Sequence, residues 1–271
     1  MQGRVLIAAG SDSGGGAGIQ ADVKTVTALG GYAATALTAV TAQDTLGVHG
    51  VIGLPPDFVA LQLRLVLADL GADCVKTGML HSADILRAVA GALAEHAPGV
   101  PVVVDPVMLA KGGAALIADE ALEALRQELV PRALVLTPNL PEAERLLGLA
   151  PGALDAPGAL PEAARALRAL GPRAVLLKGG HLPGARLVDV LAWEGGLERF
   201  EDARVDTRHT HGTGCTLASA VACGLAQGME LVPAVRRARA YVRECILHAP
   251  GLGRGHGPLG HAWRCPGPDP A

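Results

Sequence analysis

Aromatic side chains make up only 2% of this 271-residue chain, and none of its four lysines follows a glycine. The first scarcity removes the stacking platforms of nucleic-acid binding, and a net charge of −3 leaves no basic stripe for a phosphate backbone. The second excludes the GxxxxGK[ST] phosphate loop, where lysine must follow the last glycine. The glycine-rich stretch Gly10–Gly18 fails the dinucleotide pattern GxGxxG, because Ile19 stands where the final glycine belongs. GxSxG is missing, which counts against an α/β-hydrolase. No uninterrupted apolar run approaches the roughly 18 residues of a membrane span. Five scattered cysteines form no CxxC, as expected in reducing surroundings. Met1 to Val5 leads straight into a strand-like run without the pattern of a signal peptide, so a cytoplasmic protein is expected.

Asn139 is the only asparagine, and Lys24, Lys76, Lys111 and Lys178 are the only lysines. Loss of asparagine accompanies thermostability, and GC-rich coding gives the same drift toward Ala, Gly, Pro and Arg. Residues that survive the drift draw attention.

Half the residues are hydrophobic, enough for a large core in one α/β domain spanning 1–271, with an ordered part of about 4–263. Strand-like runs fall at Arg4–Ala9, Ala33–Thr41, Cys74–Thr77, Val100–Asp105, Ala133–Thr137, Ala174–Lys178 and Leu187–Trp193. Helical periodicity marks Pro56–Leu70, Ala83–Glu95, Asp119–Leu129 and Pro161–Leu170, then Thr213–Gly228 and Leu231–His248. Near-continuous apolar strands between helices predict a mostly parallel sheet covered on both faces. Ligands of such sheets collect beyond the carboxyl ends of the strands. The unusual residues stand there: AAGSDSGGGAG, TAQD, KTGML, DPVMLAKGG, TPNLPEAE and KGGH follow six successive strands.

Each motif has a plain and a chemical reading. Gly212-Thr213-Gly214-Cys215 opens a helix, either as a loop capped by Thr213 or as an anion cradle of free amides, with Cys215 as a thiolate favoured at a helix N-terminus. His209 and His211 beside Cys215 match no zinc spacing. Lys178 at a strand end flanked by glycines suits a phosphate contact, and Lys111 a loop that moves as part of a lid. Asn139 and Glu142 form a helix start that can also orient hydrated Mg²⁺, with Asp105 as a second carboxylate. Asp22 and Gln43 suit an aminated heterocycle, with Met79 as a wall or as core filler.

Together the ordered motifs closely resemble the hydroxymethylpyrimidine/phosphomethylpyrimidine kinases of thiamine biosynthesis, in the ribokinase-like superfamily, from about Val5 to Trp263. The resemblance implies a three-layer α/β/α sandwich and an ATP-dependent phosphotransferase. Its substrate would be 4-amino-5-hydroxymethyl-2-methylpyrimidine and then the monophosphate, which becomes the diphosphate. Carried over by position, Gln43 and Asp22 would bond the aminopyrimidine, with Gly10 and Met79 enclosing it. Gly212, Thr213, Gly214 and Cys215 would form the anion hole, Cys215 standing where sugar kinases of the superfamily carry an Asp base. Lys178 would neutralise migrating charge, while Asn139 and Thr213 would meet ATP and Asp105 and Glu142 would meet Mg²⁺. Asp44 of TAQD replaces the Asn of many relatives. The resemblance implies a homodimer. Pyridoxal kinases share most of these motifs but tend to carry Met at the Gln43 position, so pyridoxal is the alternative substrate; a catalytically silent pyrimidine sensor is the reading from another class.

Overall fold

The computed structural model describes residues 3–108, 119–180, 182 and 184–263. Lys111 and His181, candidates for a lid and for the turn after Lys178, lie outside the described residues, as does Cys265.

The elements run β1 (Arg4–Asp12), α1 (Gly18–Ala28), β2 (Tyr32–Gln43), β3 (Val48–Gly53), α2 (Pro56–Asp69), β4 (Cys74–Thr77), α3 (Ala83–His96) and β5 (Val102–Val104). They continue with α4 (Asp119–Ala124), β6 (Val135–Leu136), α5 (Leu140–Leu147), α6 (Leu160–Arg168), β7 (Ala174–Lys178), β8 (Arg186–Trp193), β9 (Gly196–Ala203), α7 (Thr213–Ala226) and α8 (Leu231–Leu247). One sheet holds nine strands in the order β3-β2-β1-β4-β5-β6-β7-β8-β9. From β2 through β7 the pairs are parallel, and β3, β8 and β9 add antiparallel borders.

The period of two explains the layers. Along β1, Val5, Ile7 and Ala9 pack with α1, α7 and α8, whereas Leu6 and Ala8 pack with the helices α2 to α6 on the opposite face. Both faces are therefore apolar, as a fully covered parallel strand requires. This is the expected three-layer α/β/α arrangement. Two strands, β3 and β9, escape the apolar-run reading because they are half-exposed hairpin partners: β9 buries only Phe200 and β3 has no fully buried residue. The helix expected over Asp119–Leu129 ends as α at Ala124, passes through a π turn at Leu125–Leu129 and closes in a 3₁₀ turn at Val130–Arg132, where Pro131 has no amide to continue the ladder. Among the described residues no helix is long and apolar enough to cross a membrane.

The chain reverses direction along the sheet at β1, with β2 on one side and β4 on the other. A crevice opens at such a switch point, beyond the strands' carboxyl ends. The chain's last described turns pack against α7 through His261, whose Nε2 lies 2.8 Å from the hydroxyl of Thr216. Burial first, and the charge of Lys24 second, push this imidazole down to about 4 from 6.5. The unfolded chain takes up the proton first, so this contribution is intact above pH 6.5 and is lost as pH falls toward 4. Relative to a His261→Gln variant, unfolding titrations are expected to show the wild type losing about 3 kcal/mol across that window. Parallel pH profiles for the two proteins would contradict a buried neutral imidazole.

Candidate active site

The first turn of α7 decides what the crevice can hold. Its N-cap is Gly212, in the left-handed region at φ 84°, and no side chain caps the helix. The Thr213 hydroxyl instead bonds the carbonyl of Thr210 at 3.2 Å, which corrects the expectation of a threonine cap. The leading amides of α7 are thereby left without a side-chain oxygen, and the helix dipole adds positive potential at the same place. Glycine is demanded at 212 twice over, since a Cβ there would sit 1.9 Å from the Gly16 carbonyl oxygen.

A cleft of about 510 Å³ surrounds this turn. Gly10, Gln43, Met79, Asp105, Asn139, Glu142 and Lys178 all line it together with Gly212, Thr213, Gly214 and Cys215. The tips of β1, β2, β5 and β7 and the starts of α5 and α7 thus converge on one volume, as the strand-end motifs predict. A methyl at Gly10 would approach the Met79 methyl to 2.4 Å, so this glycine lets the thioether lie flat along the cleft wall.

Asp22 is placed elsewhere. It is fully buried on α1, outside the residues that line the cleft, and both its oxygens accept from Lys76 Nζ, at 3.0 and 2.9 Å. Ser219 of α7 donates to the same carboxylate at 2.7 Å. Lys76 shares the α1/α7 face of the sheet with Cys74, two residues away, which is why a lysine in the middle of an apolar strand finds a carboxylate above it. Burial opposes the charge on Lys76, but the facing Asp22, with Cys215 and Asp105 behind it, raises its pKa and keeps it protonated. The sequence does signal this pair, through a lysine inside a strand, but not its partner.

Cys215 also departs from expectation. Burial pushes its thiol up to about 12, Asp22 and Asp105 add to the shift, and Lys76 only partly offsets it. At neutral pH it is a thiol, because desolvation outweighs the helix N-terminus. No group of three or more His, Cys, Asp and Glu among the described residues is arranged to hold a metal ion. His211 is instead bonded to Asp12.

At the other end of the cleft, Lys178 Nζ lies 3.0 Å from Asp105 Oδ1, which also accepts from Thr137 at 3.0 Å. A Cβ on Gly214 would stand 3.4 Å from that ammonium and 3.6 Å from Asp105 Oδ2, so this ion pair rests against the first turn of α7. Asn139 and Glu142 form a reciprocal capping box, the amide of Asn139 donating to Glu142 Oε2 at 2.8 Å and the amide of Glu142 to Asn139 Oδ1 at 3.0 Å. Burial raises the Glu142 carboxyl to about 7 against the pull of Lys178. Beyond Lys178, Gly179 turns so tightly that a Cβ would lie 1.9 Å from the Val188 carbonyl oxygen, and its amide donates to Asp189 at 3.0 Å. Asp189, which sequence reading missed, thereby holds the lysine-bearing turn; only the register of β7 on β8 brings it there.

This lining, an apolar wall with an amide at one end and a cation beside bare helix amides at the other, suits a small ring with an anion transferred onto it. The sequence model of the phosphomethylpyrimidine kinase family matches residues 12–260. A thiamine biosynthesis bifunctional protein of Geobacter sulfurreducens is 53% identical over 96% of the chain, although the chain spans only 52% of that longer protein. The hydroxymethylpyrimidine/phosphomethylpyrimidine kinase of Streptomyces coelicolor is 52% identical, the match covering 96% of this chain and 94% of that one. Among solved structures, Bacillus subtilis pyridoxal kinase in its ADP complex superposes with a TM-score of 0.88 at 37% identity, over 97% of this chain and 98% of the other. Likeness at that level over nearly every residue, on a sheet whose switch point carries this cleft, means that the chain belongs to the phosphomethylpyrimidine kinase family.

Proposed function

We infer that this protein is an ATP-dependent kinase that phosphorylates the hydroxymethyl group of 4-amino-5-hydroxymethyl-2-methylpyrimidine and then the resulting monophosphate, in thiamine biosynthesis. The observation that carries the reading is the pairing, in one cleft, of Gln43 at the ring end with Lys178 and the uncapped α7 amides at the phosphate end. Gln43 bonds the ring edge, while Gly10 and Met79 enclose its faces. The amides of Gly212 to Cys215 take up charge that develops during transfer, and Lys178 neutralises it. Cys215, a thiol rather than a thiolate, positions the attacking hydroxyl. Early deprotonation is unnecessary, because phosphoryl transfer depends chiefly on positioning and charge stabilisation.

ATP supplies the transferred phosphoryl group, with Asn139 and Thr213 beside it. Asp105 and Glu142 line the same cleft and offer hard oxygens, but Asp105 Oδ1 is held by Lys178 and Glu142 Oε2 by the helix cap. This suits Mg²⁺, which keeps waters and phosphate oxygens and needs one or two protein carboxylates. The same proposal includes a single-domain cytoplasmic enzyme acting as a homodimer, with apolar Tyr32, Val40 and Ile52 exposed on the β2–β3 edge.

Pyridoxal is the competing substrate, favoured by the superposition on a pyridoxal kinase. Identity is 52% to the Streptomyces pyrimidine kinase against 37% to that neighbour. Mass analysis of products with ATP and each alcohol decides between them. The mono- and diphosphate of the pyrimidine are expected, with kcat/KM for pyridoxal lower by about 100-fold, the upper end of the ~1–3 kcal/mol that one buried polar group left unpaired costs. Comparable efficiency with pyridoxal would overturn the assignment.

A further inference from the structure

Gln43 ends β2, and its backbone is clamped by Ser13, whose hydroxyl donates to the Gln43 carbonyl and accepts from its amide, both at 2.8 Å. The side-chain amide reaches two neighbours. Its nitrogen lies 3.3 Å from His211 Nε2, and its oxygen 3.3 Å from the Thr41 hydroxyl. Neither contact is consistent as it stands.

His211 Nε2 lies 2.8 Å from Asp12 Oδ2, an oxygen that also accepts the amides of Gly16 and Ala17 at 3.0 and 2.8 Å. Burial works against ionisation of Asp12, but His211 and the amides of Ala17 and Gly14 outweigh it and hold the carboxyl below its ordinary value. An ionised carboxylate only accepts, so Nε2 must carry the hydrogen. The amide nitrogen of Gln43 then faces another donor. At the far end, the Thr41 hydroxyl spends its one hydrogen on the Ser11 carbonyl at 2.8 Å, so it presents lone pairs to the amide oxygen. A half-turn of the amide resolves both conflicts together: the oxygen takes the long arm of a three-centre bond from the one Nε2 hydrogen that His211 gives mainly to Asp12, and the NH₂ donates to Thr41.

We propose that the Asp12–His211 pair, with Thr41 opposite, locks Gln43 with its oxygen toward His211 and its nitrogen toward Thr41, and that this polarity sets which donor–acceptor order the cleft reads on a heteroaromatic ring. The inference rests on the reading of Gln43 as a ring contact. An amino group beside a ring nitrogen offers one donor next to one acceptor, and an amide of fixed polarity pairs with that edge in one direction only. The ring substituents are thereby fixed as well, and the hydroxymethyl group faces the anion turn rather than away from it. His211 is also the residue before Gly212, and a Cβ on Gly16 would meet its Cδ2 at 2.6 Å. One side chain therefore links the loop after β1 to the loop that carries the anion turn. His211 is a positioning residue.

The test is a cycle of variants read by KM for the pyrimidine and for ATP. His211→Leu is expected to raise KM for the pyrimidine about tenfold with KM for ATP within about twofold, as loss of one orienting hydrogen bond implies. His211→Gln, whose side-chain N–H reaches toward Asp12, should recover most of that loss. In a Gln43→Met background, His211→Leu should add less than about twofold, because the group it orients is gone. Full additivity in the double variant, or equal changes in both KM values, would overturn the proposal. If Gln43→Met raises the pyrimidine KM but His211→Leu leaves it unchanged, only the positioning role fails. If Gln43→Met leaves it unchanged, the ring contact itself is wrong and the inference falls with it. Should His211→Leu not fold, Thr41→Val removes the other anchor at equal volume; a pyrimidine KM raised by at least about threefold is expected, and an unchanged one overturns the lock.

Discussion

Replacing Lys178 with Met should lower kcat about 10²–10³-fold while KM for the pyrimidine changes less than about threefold. The reason is positional. The ammonium stands at the end of β7 against Gly214, with 14% of its side chain exposed, and points into the turn whose amides are uncapped. Burial opposes its charge, but Asp105 first and Glu142 second raise its pKa, so the cation is present throughout the neutral range. A group that meets charge only as it develops acts on turnover rather than on binding of a neutral ring. Removing it also leaves Asp105 and Glu142 without their shared cation, and the Glu142 carboxyl, already raised to about 7, should rise further. Steady-state kinetics alongside thermal melts separate lost chemistry from lost fold. A variant with intact kcat and a pyrimidine KM raised tenfold would place Lys178 at the ring instead.

The second large effect concerns stability. Lys76→Met should cost about 3–5 kcal/mol in urea unfolding, because it leaves the Asp22 carboxylate buried with Ser219 as its only remaining side-chain donor among the described residues. The double variant Asp22→Leu/Lys76→Met should recover most of that loss, since a buried ion pair rarely outperforms a well-packed apolar pair of similar volume. The pair ties β4 to α1, and through Ser219 to α7, at the floor of the cleft, where Lys76 is one of the lining residues. If the single variant loses less than about 1 kcal/mol, water or another charge must reach Asp22, and the buried pairing described above would be wrong. If the double variant is as unstable as the single, the cost lies in packing rather than in charge.

The outcomes at Asp22 and Cys215 show where reading a sequence stops. Asp22 looks like a ligand group because it is polar and close to a glycine-rich strand end. Its orientation is set by which face of α1 meets the sheet, and that face looks at Lys76. Cys215 looks activated because it opens a helix. The same position packs against Gly18 and faces Lys76 and Asp105 on the cleft wall, and the desolvation there outweighs the dipole. His211 and Asp12 stand 199 residues apart, and neither spacing nor composition could pair them. Asp189 likewise acquires its role only through the register of β8 on β7.

What the chain alone determines is periodic or local. Alternating apolar runs dictate a covered parallel sheet, because each strand must bury both faces. Glycines at Gly179 and Gly212, and the Asn139–Glu142 capping box, mark places where backbone must approach backbone or a helix must begin. These signals put the cleft at the strand ends, and they name most of its lining. What the tertiary structure alone decides is partnership: which carboxylate meets which cation, which hydrogen sits on which nitrogen, and which thiol keeps its proton. Those depend on distances between segments remote in sequence and on the low dielectric of the volume they enclose, and neither quantity exists before the sheet has closed its layers.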